Sequence, residues 1–183
     1  MPWSFVLPQA IFASPLLAVA TPIGVGMTSA LLTSRSNTKD TYKQLRQPPF
    51  SPPAWLFGPA WTVLYGLMGY ASHHSTAVAS QSLLPGLHEA NQTAQVLYTS
   101  QLALNFLWTP LFFGMGRPAS ALADMALLIG NVSILMANWW DSDRTAFWLM
   151  TPYLGWLSFA FYLNAGVGYL NNWTLYPSKS HAE

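Results

Sequence analysis

No cysteine occurs in the 183 residues, and charge is almost as scarce, with seven Lys and Arg and six Asp and Glu making up 7% of the chain. The missing thiols exclude disulfides, thiolate metal ligands and a cysteine nucleophile. They leave the compartment open, because a chain held by a bilayer does not need disulfides. Charge at this level is far below the roughly 25% of a soluble globular domain and cannot cover a water-facing surface of this size. A formal net charge of +1 without a broad basic patch argues against nucleic acid as a partner.

What is present is apolar: 52% of the residues are hydrophobic and 15% are aromatic. The few charges are bunched between long runs nearly free of them. Runs of about 20 residues are long enough to cross roughly 30 Å of hydrocarbon. The sequence therefore predicts an all-α integral membrane protein, a single domain of five transmembrane helices over residues 1–183. The spans are expected at about 5–32, 55–72, 94–115, 119–140 and 145–169. Pro8, Pro15 and Pro22 predict kinks in the first span, with prolines at its outer end. Its apolar stretch is longer than a cleaved signal peptide's and lacks the basic start of one, so it is expected to be retained. Residues 33–54 form a polar loop that ends in Pro48, Pro49, Pro52 and Pro53, a stiff lead into the second span. His73 and His74 mark the expected far end of that span.

Charge placement supports the count. One side of a five-span arrangement carries Arg35, Lys39, Lys43, Arg46, Arg117 and Lys179, and the other carries Arg144. The positive-inside rule then puts the C-terminus in the cytosol.

Of the nine tryptophans, Trp3, Trp55, Trp139, Trp140 and Trp173 lie near predicted span ends, where an interfacial belt accounts for them. Trp61, Trp108 and Trp156 lie deeper and need another explanation. Trp61, Tyr65 and Met68 follow one another at helical spacing and share a face. So do Asn105, Trp108 and Phe112, with Gln101 one turn before them. Trp156, Ala160, Leu163 and Asn164 make a third stripe. Three such faces either line an apolar cavity for a flat hydrophobic ligand, oriented by amides and hydroxyls, or pack against one another with interhelical hydrogen bonds.

Asp124 lies one turn into the fourth span, where lipid exposure would be costly, so it is expected to have a structural partner such as a tyrosine, Arg117 or a lysine of the first loop. His73 and His74 are adjacent and point apart, and His88 is remote, so no metal site is expected. No Ser, His and Asp constellation, glycine-rich phosphate loop or carboxylate pair is visible, which leaves no catalytic residue to assign from spacing.

The segment Pro48-Pro49-Phe50-Ser51-Pro52-Pro53-Ala54-Trp55-Leu56-Phe57-Gly58-Pro59-Ala60-Trp61-Thr62-Val63-Leu64-Tyr65, continuing to Met68-Gly69-Tyr70, resembles the translocator protein family, also called the tryptophan-rich sensory or peripheral-type benzodiazepine receptor family. Three further segments are similar to it in the same order. They are Gln101 to Asn105 with Trp108, Pro110, Phe112, Phe113 and Gly114; Ala121 to Asp124; and Pro152 to Leu154 with Trp156, Phe159, Ala160, Leu163 and Asn164. The resemblance implies a bundle of five transmembrane helices, often dimeric, with an internal pocket for porphyrins such as protoporphyrin IX and haem, for sterols and for synthetic benzodiazepine-type ligands. It implies no obligate cofactor.

By resemblance, Trp61 and Trp156 match the two tryptophans implicated in porphyrin binding, and Phe57, Asn105, Trp108, Ala160 and Leu163 match positions at or beside the pocket. With Tyr65, Phe112 and Asn164 from the helix faces, these are the expected ligand-binding residues, and the first loop is expected to cap them. The function implied is a membrane binding protein or carrier. The alternatives are light-dependent porphyrin breakdown through Trp61 and Trp156, or a ligand-responsive membrane regulator or scaffold. The mitochondrial outer membrane is the favoured location, with the endoplasmic reticulum or another endomembrane as the alternative. Two departures alter what is implied. Ala165 and Tyr169 stand where animal members carry the Tyr and Arg of a cholesterol-recognition stretch, which argues against cholesterol transport while leaving a flat sterol as a pocket ligand. Phe106 and Ser120 replace tryptophans of animal members.

Overall fold

The computed structural model describes residues 5–34 and 45–175. It is an all-α bundle, and among the described residues its helices are α1 (Gln9–Ala13), α2 (Pro15–Ser34), α3 (Ala54–Ser80), α4 (Pro85–Thr109), α5 (Pro118–Ser142) and α6 (Arg144–Leu170), with a π-helical turn over Pro110–Gly114 after α4. Prolines explain several boundaries. Ser14 is extended because it precedes Pro15, and this splits the first apolar stretch into α1 and α2. Pro85 and Pro118 begin α4 and α5, where a missing N–H costs nothing. Asp143 caps α6, its carboxylate accepting from the Thr145 and Ala146 N–H groups at 3.0 and 3.2 Å.

The helices at the far end are longer than the apolar runs. The helix expected over 55–72 continues to Ser80, and the one expected over 94–115 begins at Pro85, so little of the expected loop remains between them. His73 and His74 are therefore inside α3 rather than at its end. The His73 Nδ1–H donates to the Phe12 carbonyl at 2.8 Å, and the His74 Nδ1–H to the Asp143 carboxylate at 2.7 Å. Tertiary partners thus carry polar residues that hydropathy alone assigns to an interface.

Around the bundle, α2 packs on α3, α3 on α6, α6 on α5 and α5 on α4, and the ring is least closed between α4 and α2. Phe12, Met68, Tyr98, Leu128, Leu135, Met150 and Tyr153 fill the core. Trp139 joins them at 1% exposure, so it is not part of an interfacial belt, whereas Trp55, Trp140 and Trp173 do reach the surface. Trp3 lies outside the described residues. Outward-facing side chains on the long helices include Leu16, Leu31, Val63, Leu107, Leu127, Ile134 and Trp148. Such a girdle suits hydrocarbon and would be a liability in water. Among the described residues one helix, Pro118–Ser142, is long and apolar enough by length and composition to cross a membrane, with a mean hydropathy of 1.7. Of the others, α3, α4 and α6 hold tryptophan, tyrosine and proline, which a hydropathy scale counts as polar, and the apolar part of α2 is shorter, Pro15–Ser29.

At the end where α4 stops and α5 begins, residues 45–53 lie against α6. Arg46 and Asn171 pair reciprocally, the Arg46 N–H donating to the Asn171 side-chain oxygen at 3.1 Å and the Asn171 amide to the Arg46 carbonyl at 3.0 Å. The Tyr162 hydroxyl donates to the Pro49 carbonyl at 3.0 Å, and Pro48 sits against Gly166. Leu45, Phe112, Ala121, Val167 and Leu175 form a second small core there. The loop charges Arg35, Lys39 and Lys43, and Lys179 of the tail, lie outside the described residues, as does the 35–44 part of the expected capping loop.

Candidate functional site

A cavity of about 350 Å³ lies between α2, α3 and α4. From α3 it takes Phe57, Trp61 and Tyr65, and from α4 Asn105, Phe106 and Trp108. Five of the ten residues expected at the site, Phe57, Trp61, Tyr65, Asn105 and Trp108, therefore converge on one space. The cause is local: the helical faces read from spacing on α3 and α4 turn toward each other. Glycine makes the fit possible, because the Tyr65 ring occupies the place that a Cβ on Gly26 of α2 would need.

Buried hydrogen bonds hold the polar part in position. The Tyr65 hydroxyl donates to the Asn105 side-chain oxygen at 2.8 Å, and the Asn105 amide donates to the Tyr153 hydroxyl at 3.0 Å. Tyr153 donates in turn to the Gln101 side-chain oxygen at 3.0 Å, and the Gln101 amide faces the Met68 sulfur at 3.6 Å. This chain links α3, α4 and α6 through groups that would otherwise be buried without partners. The Trp61 ring lies 5.2 Å from Tyr65 and 6.1 Å from Tyr153, centroid to centroid.

The other expected residues are placed differently. The Trp108 indole donates to Asn164 at 3.0 Å, and the Asn164 amide donates to the Pro118 carbonyl at 2.9 Å, so Asn164 orients Trp108 from behind. Phe112 stacks on the far side of Trp108 at 4.9 Å. Leu163 is buried and Ala160 half-buried on α6, and neither lines the cavity. Trp156 meets the cavity only through Phe57, edge to face at 5.9 Å. Its ring lines an apolar outer groove of about 580 Å³ with Pro59, Val63, Leu67, Pro152 and Phe159. Trp61 and Trp156 thus belong to two separate concavities.

Five contributors are not marked by the sequence pattern. Tyr153 lies one turn before the α6 stripe, in register with Leu157 and Asn164, and that register was the available signal. Ile23, Gly26 and Met27 of α2 line the cavity but are apolar or small, and periodicity in a uniformly apolar helix cannot distinguish them. Phe106 was noted only as a replacement and in fact forms a wall. Asp124 is buried, yet among the described residues neither carboxyl oxygen has a hydrogen-bond partner, contrary to the expected tyrosine, arginine or lysine. Its neighbours at 121, 125 and 128 on the inward face of α5 are all apolar. Among the described residues no group of three His, Asp or Glu side chains could hold a metal ion.

The sequence model of the TspO/MBR family matches residues 18–170. The chain belongs to the TspO/MBR family. Its curated relatives include the translocator protein homolog of Schizosaccharomyces pombe, 47% identical over 130 residues, which are 71% of this chain and 77% of that one. The translocator protein of Homo sapiens is 38% identical over 123 residues, 67% of this chain and 70% of the human one. The tryptophan-rich sensory protein of Cereibacter sphaeroides is 36% identical over 155 residues, 85% of this chain and 87% of that one. Membership makes this TspO/MBR protein an integral membrane protein with a ligand-binding role. The matched region contains every residue that lines the cavity.

Proposed function

We propose that this protein is a five-span membrane binding protein or carrier for porphyrins, such as protoporphyrin IX or haem, with other flat lipophiles including sterols as further ligands. The observation that carries this reading is the convergence of the Trp61, Tyr65 and Trp108 rings and the Asn105 amide on one cavity. Aromatic walls suit the faces of a flat conjugated ring, and a fixed amide and hydroxyl suit its polar edge. Phe57, Phe106 and Thr62 complete the near walls. Asn164 and Phe112 support Trp108 rather than touching ligand, and Trp156, Ala160 and Leu163 act from α6 without lining the cavity.

On this reading the five long helices all span, the C-terminus faces the cytosol, the first loop caps the cavity, and the chain works as a homodimer. The resemblance favours the mitochondrial outer membrane as its location. Arg46 and Arg117 lie at the loop-rich end and Arg144 at the other, in keeping with that orientation.

The test is a titration in the dark of detergent-purified protein with protoporphyrin IX, followed by quenching of tryptophan emission with inner-filter controls, for the parent and for Trp61→Phe and Trp156→Phe. Saturation near one ligand per chain, weakened at least five-fold by Trp61→Phe and less by Trp156→Phe, is the expected result. Non-saturating quenching shared by all three proteins would mean partitioning into the micelle and would remove the porphyrin reading.

A further inference from the structure

The geometry points to a lateral entrance between α2 and α4, through which ligand reaches the inner cavity directly from the hydrocarbon, with the Phe106 ring as its gate. This inference rests on the binding function proposed above. A third concavity of about 790 Å³ opens along the α2 and α4 seam, lined by Ala20, Thr21, Gly24, Val25 and Thr28 on one side and by Pro110 and Gly114 on the other. Ser29, Phe106 and Thr109 line both this concavity and the inner cavity. The two spaces therefore meet at those three residues. Phe106 is the large side chain of the three, half-buried, with its ring 5.7 Å from that of Tyr65.

Contacts cross the other described seams, although toward the loop end of the α2 and α3 seam the lining residues Met27, Gly58 and Thr62 are exposed. At the α2 and α3 seam, Gly69 lies directly on the Ala18 backbone and the Tyr65 ring lies on Gly26. At the α3 and α6 seam, Phe57 meets Trp156 edge to face, and the groove outside them shares no lining residue with the inner cavity. At the loop end, residues 45–53 are pinned to α6 by the Arg46 and Asn171 pair and by Tyr162. The α2 and α4 seam is also where the ring of helices is least closed. Its surroundings are apolar, with Val25, Met27, Leu31 and Leu107 turned outward, and the Thr28 hydroxyl is satisfied within its own helix by the Gly24 carbonyl at 2.8 Å. A lipophile dissolved in the bilayer would meet mostly carbon along this path, with Thr21, Ser29 and Thr109 as the other polar side chains before Tyr65 and Asn105.

A Cβ placed on Gly24 meets nothing within 4 Å, so a side chain there can grow into the outer concavity without clashing at its base. Gly24→Phe and, separately, Ala20→Phe should obstruct the entrance without adding a tryptophan. With the full chain in lipid nanodiscs and protoporphyrin IX added in the dark, stopped-flow tryptophan quenching reads association, and competition by excess apo-protein reads release. Both rates should fall at least ten-fold in each variant, with the equilibrium constant changed less than three-fold. Phe106→Ala should act in the opposite direction and speed exchange at least five-fold. Unchanged rates in all three variants, or a weakened equilibrium at an unchanged association rate, would overturn the entrance. Loss of saturable binding in the parent itself would instead remove the binding function on which it rests.

Discussion

Tyr65 and Asn105 meet across the interface of α3 and α4, hydroxyl to side-chain oxygen at 2.8 Å, and through this bond the wall of the cavity is joined to the core of the bundle. Asn105 passes the link to Tyr153 on α6 and so to Gln101. A group that faces ligand is thereby held by groups that do not. Polar groups already held in place lower the ordering cost of a bound molecule.

Removing the Tyr65 hydroxyl leaves the Asn105 oxygen buried without that donor. Interhelical hydrogen bonds in membrane proteins average about 0.6 kcal/mol and reach about 1.7. Tyr65→Phe should therefore cost about 1 kcal/mol, lower the thermal midpoint in detergent by a few degrees, and weaken porphyrin binding more than it lowers stability. An unchanged midpoint with unchanged binding would show that the bond does not organise the cavity.

Gly69 and Gly66 make a matched pair on α3. A Cβ at Gly69 would run into the Ala18 carbonyl of α2, and backbone cannot yield as a flexible side chain can, whereas a Cβ at Gly66 meets nothing within 4 Å. Gly69→Ala should destabilise by about 1–3 kcal/mol through overpacking. Gly66→Ala should be neutral or slightly stabilising, since alanine is the better helix former. Parallel thermal melts in one detergent check the contrast, and equal shifts would refute the close approach of α2 to α3.

Asp143 serves two helices at once, capping α6 and accepting from His74 of α3 at 2.7 Å. Loss of a cap costs about 0.5–2 kcal/mol. Asp143→Ala should fall in that range or above it, His74→Ala should cost less, and the double variant should lose less than the sum of the two. Additive losses in the double-mutant cycle would mean that the pair is geometric contact without coupling.

Asp124 supports the opposite prediction. Its carboxyl is buried with no hydrogen-bond partner among the described residues, so an apolar side chain of similar size should be tolerated or stabilising. Asp124→Val should leave the thermal midpoint unchanged or raise it. A fall of several degrees would reveal a partner at this position.

The helical faces were legible in the sequence because spacing is a local property. Trp61 with Tyr65, and Asn105 with Trp108, were placed correctly on their own helices, and these faces are the ones that meet. Which faces meet is a property of packing, and there the reading was weaker. Trp156 lies one turn from Tyr153, and spacing alone could not tell that the tyrosine enters the hydrogen-bonded core while the tryptophan turns toward an outer groove. The contribution of α2 was hidden for a different reason: Ile23, Gly26 and Met27 carry no polar signal, and their value lies in shape. The ends of α3 and α4 extend beyond the expected spans because His73, His74 and Asn91 look like loop residues until their tertiary partners are known.

The π-helical turn over Pro110–Gly114 has a consequence for chain length. A turn of this kind holds a residue more than the rise it covers, and each residue in an ordinary helix rotates the next by about 100°. Deleting Pro110 or Leu111 would restore regular helical pairing and still let the chain reach Pro118, but it would swing the Phe112 ring that now backs Trp108 away from it. In this segment the number of residues, as much as their identity, decides which aromatic ring stands behind the indole.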